Sequence, residues 1–380
     1  MKTLLITSDF PPGFGGGISR HYHSLCRESH GEIGVLAPLT GEVRAFDRSQ
    51  SFPVFRARVP LARSLPSRLS QSLLLGICGG LIARRKGARS ILFGHWYLSA
   101  AGPLIQRLFG IPFGVFLHGG ELDQVSGKRL TAATALRAIH AAGVVIVNSE
   151  HTRQEFLRHS GGHLRIAKVN PGVDTERFNP RVDGHLVLQR HGLDGRRVLL
   201  TVARLVERKG HDTVIRALPR ILDAFPDTAY LIVGSGPTET KLRTLAREIG
   251  VANEVVFAGE IPDDELPAYY GTCDLFVMPS RQIAEREGVE GFGIVYLEAN
   301  ACGKPVIGGR SGGVGEAIED GVTGLLVDPL DGEAFAAAAV RILADRDLTR
   351  ALGIQGRRRA EQEFDWGVQA DRLLGLVNAM

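Results

Sequence analysis

What most constrains this chain is an alternation of short apolar runs with helix-length segments, kept up through most of its 380 residues and broken once. Apolar runs at 2–8, 32–37, 91–93, 112–117, 144–147 and 165–169 read as buried strands. Segments 16–28, 67–86, 98–109, 131–142 and 149–159 read as helices, the second of them amphipathic and interrupted by glycines. A parallel strand pair needs a crossover long enough to be a helix, so repeated strand–helix units imply parallel sheets covered on both faces. Over 170–196 Pro, Gly and charged residues displace the pattern, which reads as a linker. It resumes with strands at 198–203, 230–233, 255–258, 275–278, 305–307 and 325–327, and helices at 332–344 and 348–364 close it. The expectation is two doubly wound α/β domains, 1–175 and 190–364, each large enough for its own core. Ligands of such sheets sit outside the carboxyl ends of the strands, so an interdomain cleft is the expected site.

Composition narrows the class. Hydrophobic residues at 44% and charged residues at 23% exclude a disordered chain. No apolar run approaches the ~20 residues of a spanning helix; the longest, 73–83, contains three glycines. The N-terminus runs straight into a strand without a cleavable signal pattern. Cys26, Cys78, Cys273 and Cys302 lie far apart, with neither metal-ligand spacing nor a disulfide framework, so a reducing cytoplasm is expected. The net charge of +4 hides an asymmetry: +11 over residues 1–180 and −7 over the rest. Residues 48–120 hold ten Lys/Arg and no acid. That span suits a solvated basic face; it equally suits an anionic bilayer under residues 67–86, whose 73–75 is Leu-Leu-Leu and whose 84–86 is Arg-Arg-Lys.

Four stretches can carry chemistry. In 288–305, Gly291 and Gly293 precede an apolar run that Gly303 and Pro305 end, a loop feeding a short helix. Free N–H groups at such a helix start suit a phosphate or a sugar oxygen, with Glu290 before the helix and Glu298 one turn inside it. The same features suit a surface loop. The loop 11–20, with Gly15, Gly16 and Gly17, could bring amides against a phosphate, or serve as a packing turn. His118 comes at the carboxyl end of a strand, where a functional group or a structural histidine can sit. Arg204 and Lys209 follow the first strand of the second half and could neutralise a diphosphate, Arg as a fork and Lys as a point charge. Arg208 lies between them.

The pair Glu290 and Glu298 around Gly-Phe-Gly-Ile, continuing through Ala-Cys-Gly-Lys-Pro-Val-Ile307 and Ser311-Gly-Gly-Val-Gly-Glu316, resembles the E-x7-E signature of retaining GT-B glycosyltransferases of family 4. With Pro279-Ser-Arg281, the second half is similar to bacterial mannosyltransferases that extend phosphatidylinositol mannosides. The first half matches only in its glycine loop and in His118-Gly-Gly-Glu121.

The resemblance implies two Rossmann-like domains facing each other across a cleft, 1–175 binding the acceptor and 190–364 the nucleotide sugar, with a last helix, about 365–380, packing back on the first. It implies His118, Glu290, Arg204 and Lys209 as catalytic. Donor binding would fall to Gly16, Gly17, Arg204, Lys209, Gly234, Val256, Glu290, Phe292, Gly293, Ile294 and Glu298. Asp9, Arg20 and Arg68 are the expected acceptor-binding residues. Ala203 departs from the family's usual Gly. The donor expected first is GDP-mannose, with UDP-glucose or UDP-N-acetylglucosamine second; the acceptor is lipid-linked or a glycan. No metal is expected to be essential, and Asp263-Asp264 reads as a helix start. The enzyme would be cytoplasmic or peripheral on the inner membrane face. Rival readings are a synthase acting on soluble glycans, a nucleotide-sugar epimerase and, weakly, a nucleic-acid binder, since the basic span lacks regularly interleaved aromatics.

Overall fold

Each apolar run expected to be a strand is one, and every strand pair is parallel. The computed structural model describes residues 1–13, 16–59, 65–119, 129–160, 164–283 and 288–380; Gly15 and Glu121 lie outside them. They form two units, Met1–Pro171 with Trp366–Met380, and Gly172–Asp365.

The first unit holds β1 (Thr3–Ile6), β2 (Ile33–Pro38), β3 (Val54–Ala57), β4 (Ser90–Phe93), β5 (Phe113–Leu117), β6 (Val144–Val147) and β7 (Ile166–Lys168), in the order β3-β2-β1-β4-β5-β6-β7. The second holds β8 (Arg197–Val202), β9 (Thr228–Val233), β10 (Val255–Gly259), β11 (Leu275–Met278), β12 (Val306–Gly309) and β13 (Leu325–Val327), ordered β10-β9-β8-β11-β12-β13. Strand order reverses between β1 and β4, and again between β8 and β11. Loops leaving adjacent strands there diverge and open a crevice at the carboxyl ends.

Side-chain alternation builds the cores. Leu4, Ile6, Ile91 and Phe93 enter one face of the first sheet, Leu5 and Leu92 the other. Both faces are apolar, as a fully covered parallel sheet requires. The last helix, Trp366–Asn378, belongs to the first unit. Its Trp366, Ala370, Leu373 and Val377 recur at helical spacing and are buried in the layer that holds Leu5. Complete burial of a Leu or Val side chain contributes about 1.5–3 kcal/mol.

Three local readings are corrected. The glycines of 67–86 do not interrupt the helix, which runs Leu65–Lys86. A Cβ at Gly76 would stand 2.4 Å from the Ala101 methyl, and one at Gly80 2.5 Å from the Phe109 ring. Gly76 and Gly80 mark where the helix Gly102–Phe109 and the turn before it lie close. Residues 98–109 form a 3-10 turn, Trp96–Ala101, before that helix. Span 170–196 includes a helix, His185–His191, of which only Val187 is buried, too little apolar surface to show as a period. The edge strand β3 and the helix Arg44–Ser49 escaped notice for the same reason.

Candidate active site

In the second unit, β8 ends at Val202 and the chain turns through Ala203 and Arg204 into a 3-10 turn, Glu207–Lys209. Gly210, at φ 74°, then starts the helix His211–Ala224. A Cβ at Gly210 would stand 2.1 Å from the Pro279 carbonyl, so this turn lies directly on the chain leaving β11. Lys209 Nζ donates to Glu290 Oε2, and Arg208 Nη1 reaches the same oxygen at 3.1 Å. Burial pushes the Glu290 carboxyl up, but the charges of Lys209 and Arg208 outweigh it, and its pKa ends below the ordinary glutamate value. Arg204 is exposed, and no hydrogen bond or ion pair engages its guanidinium among the described residues.

The loop presenting Glu290 is held by backbone. Gly313 N–H donates to the Glu290 carbonyl at 2.9 Å. A Cβ at Gly312 would stand 2.3 Å from that carbonyl oxygen, and one at Gly313 2.1 Å from the Gly291 oxygen. The Ser311-Gly-Gly motif is therefore explained by contact with the Glu290 loop. Gly293, at φ 93°, leads into the helix Ile294–Ala301. The Phe292 side chain turns into the core, its ring 5.7 Å from that of Phe364. Glu298 is 7% exposed and accepts from the Tyr270 hydroxyl at 2.5 Å. Burial and that carboxylate hold the Tyr270 phenol well above its ordinary value. Gly234, at φ 128°, meets the Ala203 carbonyl, and Leu205 N–H donates to the Ser235 carbonyl at 2.9 Å. That turn thus packs against the one carrying Arg204. Val256 is half-buried in β10.

In the first unit, Asp9, His95 and His118 follow β1, β4 and β5. His118 is partly buried, its Nε2 2.5 Å from the Tyr22 hydroxyl, which also donates to the Gly94 carbonyl. His95 Nε2 lies 3.6 Å from Asp9 Oδ2, its ring stacks on Tyr97 at 5.6 Å, and the Arg68 guanidinium sits 5.4 Å from the Tyr97 ring. Asp9 and Arg68, expected as acceptor residues, thus join one chain of contacts that includes His95. Burial brings His118 down to about 3, with His95 adding to the effect. Burial and Arg68 bring His95 to about 4. Burial holds the Asp9 carboxyl above its usual range. Both imidazoles are neutral at pH 7, suited to hydrogen bonding with uncharged hydroxyls. Gly16 has φ 123°, open to glycine alone; a Cβ at Gly17, the first residue of the helix Gly17–Glu28, would meet no atom of the described residues within 4 Å. Arg20 is exposed on that helix.

Sequence reading passed over several polar residues here. Arg281, quoted only within a motif, is 8% exposed; both its Nη atoms reach Asp212 Oδ2, at 3.0 and 3.1 Å, and its N–H donates to the Arg208 carbonyl at 2.8 Å. It ties the turn carrying Lys209 to the end of β11. Tyr22 and His95 carry no local signal, since their partners stand in distant segments. No cluster of three or more His, Cys, Asp or Glu able to hold a metal occurs among the described residues.

The description of Glycosyltransferase Family 4 matches residues 15–177 and that of Glycosyl transferases group 1 residues 188–359. A GDP-mannose-dependent alpha-(1-6)-phosphatidylinositol monomannoside mannosyltransferase of Mycolicibacterium smegmatis is 38% identical over 99% of this chain and 98% of its own. The protein of the same description from Mycobacterium tuberculosis is 35% identical over 98% and 97%. Among solved structures, Anabaena HepE in complex with UDP superposes with a TM-score of 0.80 over the whole of both chains at 21% identity. A sucrose-phosphate synthase of Thermosynechococcus elongatus gives 0.76 at 24%, covering 100% of this chain and 99% of that one. These two likenesses concern the fold, which is the expected GT-B class of two Rossmann-like units. On the strength of whole-length relatives above 30% identity and of the descriptions matched in both halves, the chain belongs to the family 4, group 1 glycosyltransferases.

Proposed function

We propose that this enzyme transfers mannose from GDP-mannose, with retention, to a hydroxyl of a phosphatidylinositol mannoside-type lipid. The observation that carries the reading is the group at the carboxyl ends of β8 and β11: an exposed Arg204 without a partner among the described residues, beside Lys209 and Arg208 held on Glu290. Cations arranged in advance stabilise a departing diphosphate without reorganisation. The second unit carries most of the donor-binding residues, with Glu290 and the Phe292–Ile294 amides on the sugar and phosphate and Glu298 on the ribose. Asp9, Arg20 and Arg68 of the first unit serve the acceptor. Its hydroxyl oxygen bonds to the anomeric carbon on the face from which the diphosphate leaves. The leaving phosphate oxygen takes the hydroxyl proton, so no enzymic nucleophile and no metal are needed.

The lipid acceptor accords with the names of the whole-length relatives. It also accords with the helix Leu65–Lys86, which exposes Leu73, Leu74, Ile77 and Leu81 and ends in Arg84, Arg85 and Lys86. An apolar stripe beside cations suits an anionic membrane surface. No helix among the described residues is long and apolar enough to cross a membrane.

Nucleotide release from GDP- and UDP-sugars, with and without anionic lipid extract, tests the proposal. Release from GDP-mannose that rises with lipid supports it. Release from a UDP-sugar, indifferent to lipid, overturns both donor and acceptor.

A further inference from the structure

The glycine loop that leaves β1 is gripped from the edge of its sheet. Arg56 stands in β3, two strands from β1, and its side chain is only 8% exposed. Its guanidinium reaches back across the end of β2: Nη2 donates to the Pro11 carbonyl at 2.5 Å and Nη1 to the Pro38 carbonyl at 3.4 Å. Asp47, in the helix Arg44–Ser49, accepts from Nη2 at 2.7 Å and from Nε at 3.2 Å. Most of the N–H groups of the fork are thus engaged. Phe10 is wholly buried; its ring meets Phe46 and Phe52 edge-on at 6.4 and 6.2 Å, and the guanidinium carbon lies 5.5 Å from its centroid. A Cβ at Gly13 would stand 2.0 Å from Thr40 Oγ1, so the loop also lies against the segment that follows β2. A guanidinium so enclosed is stable only with its charge paired, and Asp47 pairs it. Lysine, a point charge, could not span a carboxylate and two carbonyls from separate segments.

We infer that Arg56 is a positioning residue for the glycine loop: held on Asp47, it fixes the limb 10–13 and through it the place of Gly16 and Gly17. Gly16 is three residues beyond Gly13, a reach of at most about 11 Å, so where the limb goes the glycines follow. The consequence for turnover rests on the reading that Gly16 and Gly17 meet the donor's diphosphate. Main-chain amides stabilise a departing charge without reorganisation only when they are already in place. A limb released from Arg56 has to be ordered in each turnover, and that entropy is lost from the donor's kcat/KM.

Arg56→Lys keeps the charge and loses the fork; Asp47→Asn keeps the shape of the acceptor and loses its charge, and it carries the same test should Arg56→Lys not fold. Circular dichroism and urea titration establish that the variants are folded under assay conditions. Hydrogen exchange at Gly13 and Gly17 should quicken in both, with exchange in β5 and β6 unchanged. The kcat/KM for GDP-mannose should fall about tenfold in Arg56→Lys, the factor one charge-assisted hydrogen bond is worth. A cycle with Gly17→Ala separates positioning from mere bracing. A Cβ there meets no atom of the described residues within 4 Å, so the substitution acts on what the loop binds. If Arg56 works through the loop, the two substitutions together cost less than the product of their separate factors. Independent factors, or unchanged exchange at Gly13 and Gly17, overturn the inference and leave Arg56 a brace of the sheet edge. Wild-type donor kinetics in Gly17→Ala would instead overturn the reading of the loop, and the exchange data distinguish the two failures.

Discussion

Lys209 and Glu290, 81 residues apart, are joined by a hydrogen bond from the ammonium to the carboxylate oxygen that Arg208 also reaches. The pair links the first loop of the second unit to the loop that opens the helix Ile294–Ala301. The carboxylate we propose to fix the sugar is thus held by the cations we propose to meet its diphosphate.

Lys209→Ala should lower the rate of transfer about 10²–10³-fold, the usual effect of removing one group placed to stabilise developing charge. Glu290→Ala should also lose transfer while its circular dichroism stays that of the wild type. Full activity in either variant would refute the role given to the pair.

His21 is 3% exposed and both its ring nitrogens lack a hydrogen-bond partner among the described residues. Burial, with His118 nearby, keeps its pKa well below the ordinary value. Above pH ~6.5, where histidine is neutral in the unfolded chain too, this contributes nothing. Below that, the unfolded chain takes a proton that the folded one refuses, so stability falls as pH falls. His95, at about 4, and His118, at about 3, act in the same direction. His21→Phe should therefore recover about 1 kcal/mol at pH 5.5 relative to pH 7. Urea titrations at the two pH values measure this, and an unchanged difference would show that His21 is not kept neutral.

Arg281→Ala leaves the Asp212 carboxylate without the two guanidinium contacts it now accepts. Breaking a fully buried pair costs about 3–5 kcal/mol. Asp212 is 32% exposed, which calls for a smaller figure, about 2 kcal/mol. Turnover should fall as well, because the Arg281 guanidinium ties the start of the helix His211–Ala224, just after Lys209, to the end of β11. Arg281→Lys, which keeps the charge and loses the fork, should fall between. Equal stability of all three proteins in urea would deny Arg281 this role.

Replacing Arg84, Arg85 and Lys86 together by Gln should weaken binding to anionic vesicles about a hundredfold, at roughly 1 kcal/mol for each cation near the surface. Leu73→Ser with Leu81→Ser should weaken it further without altering its dependence on salt. Co-sedimentation at low and high salt separates the two contributions. Binding unaffected by either set would remove the helix as a membrane contact.

Strand and helix positions were legible because they rest on local periodicity. Val144–Val147 and Leu275–Met278 are apolar runs whose burial follows from composition alone. The helix His185–His191 and β3 were not, since one is covered along a narrow stripe and the other lies at a sheet edge. Among the candidate site residues, Glu290, Lys209 and His118 stand in motifs legible in their own neighbours, whereas Asp9 and Arg68, expected as acceptor residues, stand in none. Arg281, Tyr22 and His95 were not ranked with them, because a buried polar residue is recognisable only by its partner.

By itself the sequence determined two parallel α/β units and the loops at whose ends chemistry would sit, because side-chain parity and crossover length are properties of neighbouring residues. Tertiary structure alone decided which loops meet. Tyr22 and His118 are 96 residues apart, and Asp212 and Arg281 are 69. Such pairs form only once the sheet order sets β1 beside β4 and β8 beside β11. A buried donor or charge is stable only with its partner, so the contact is a property of the folded chain and of neither segment alone.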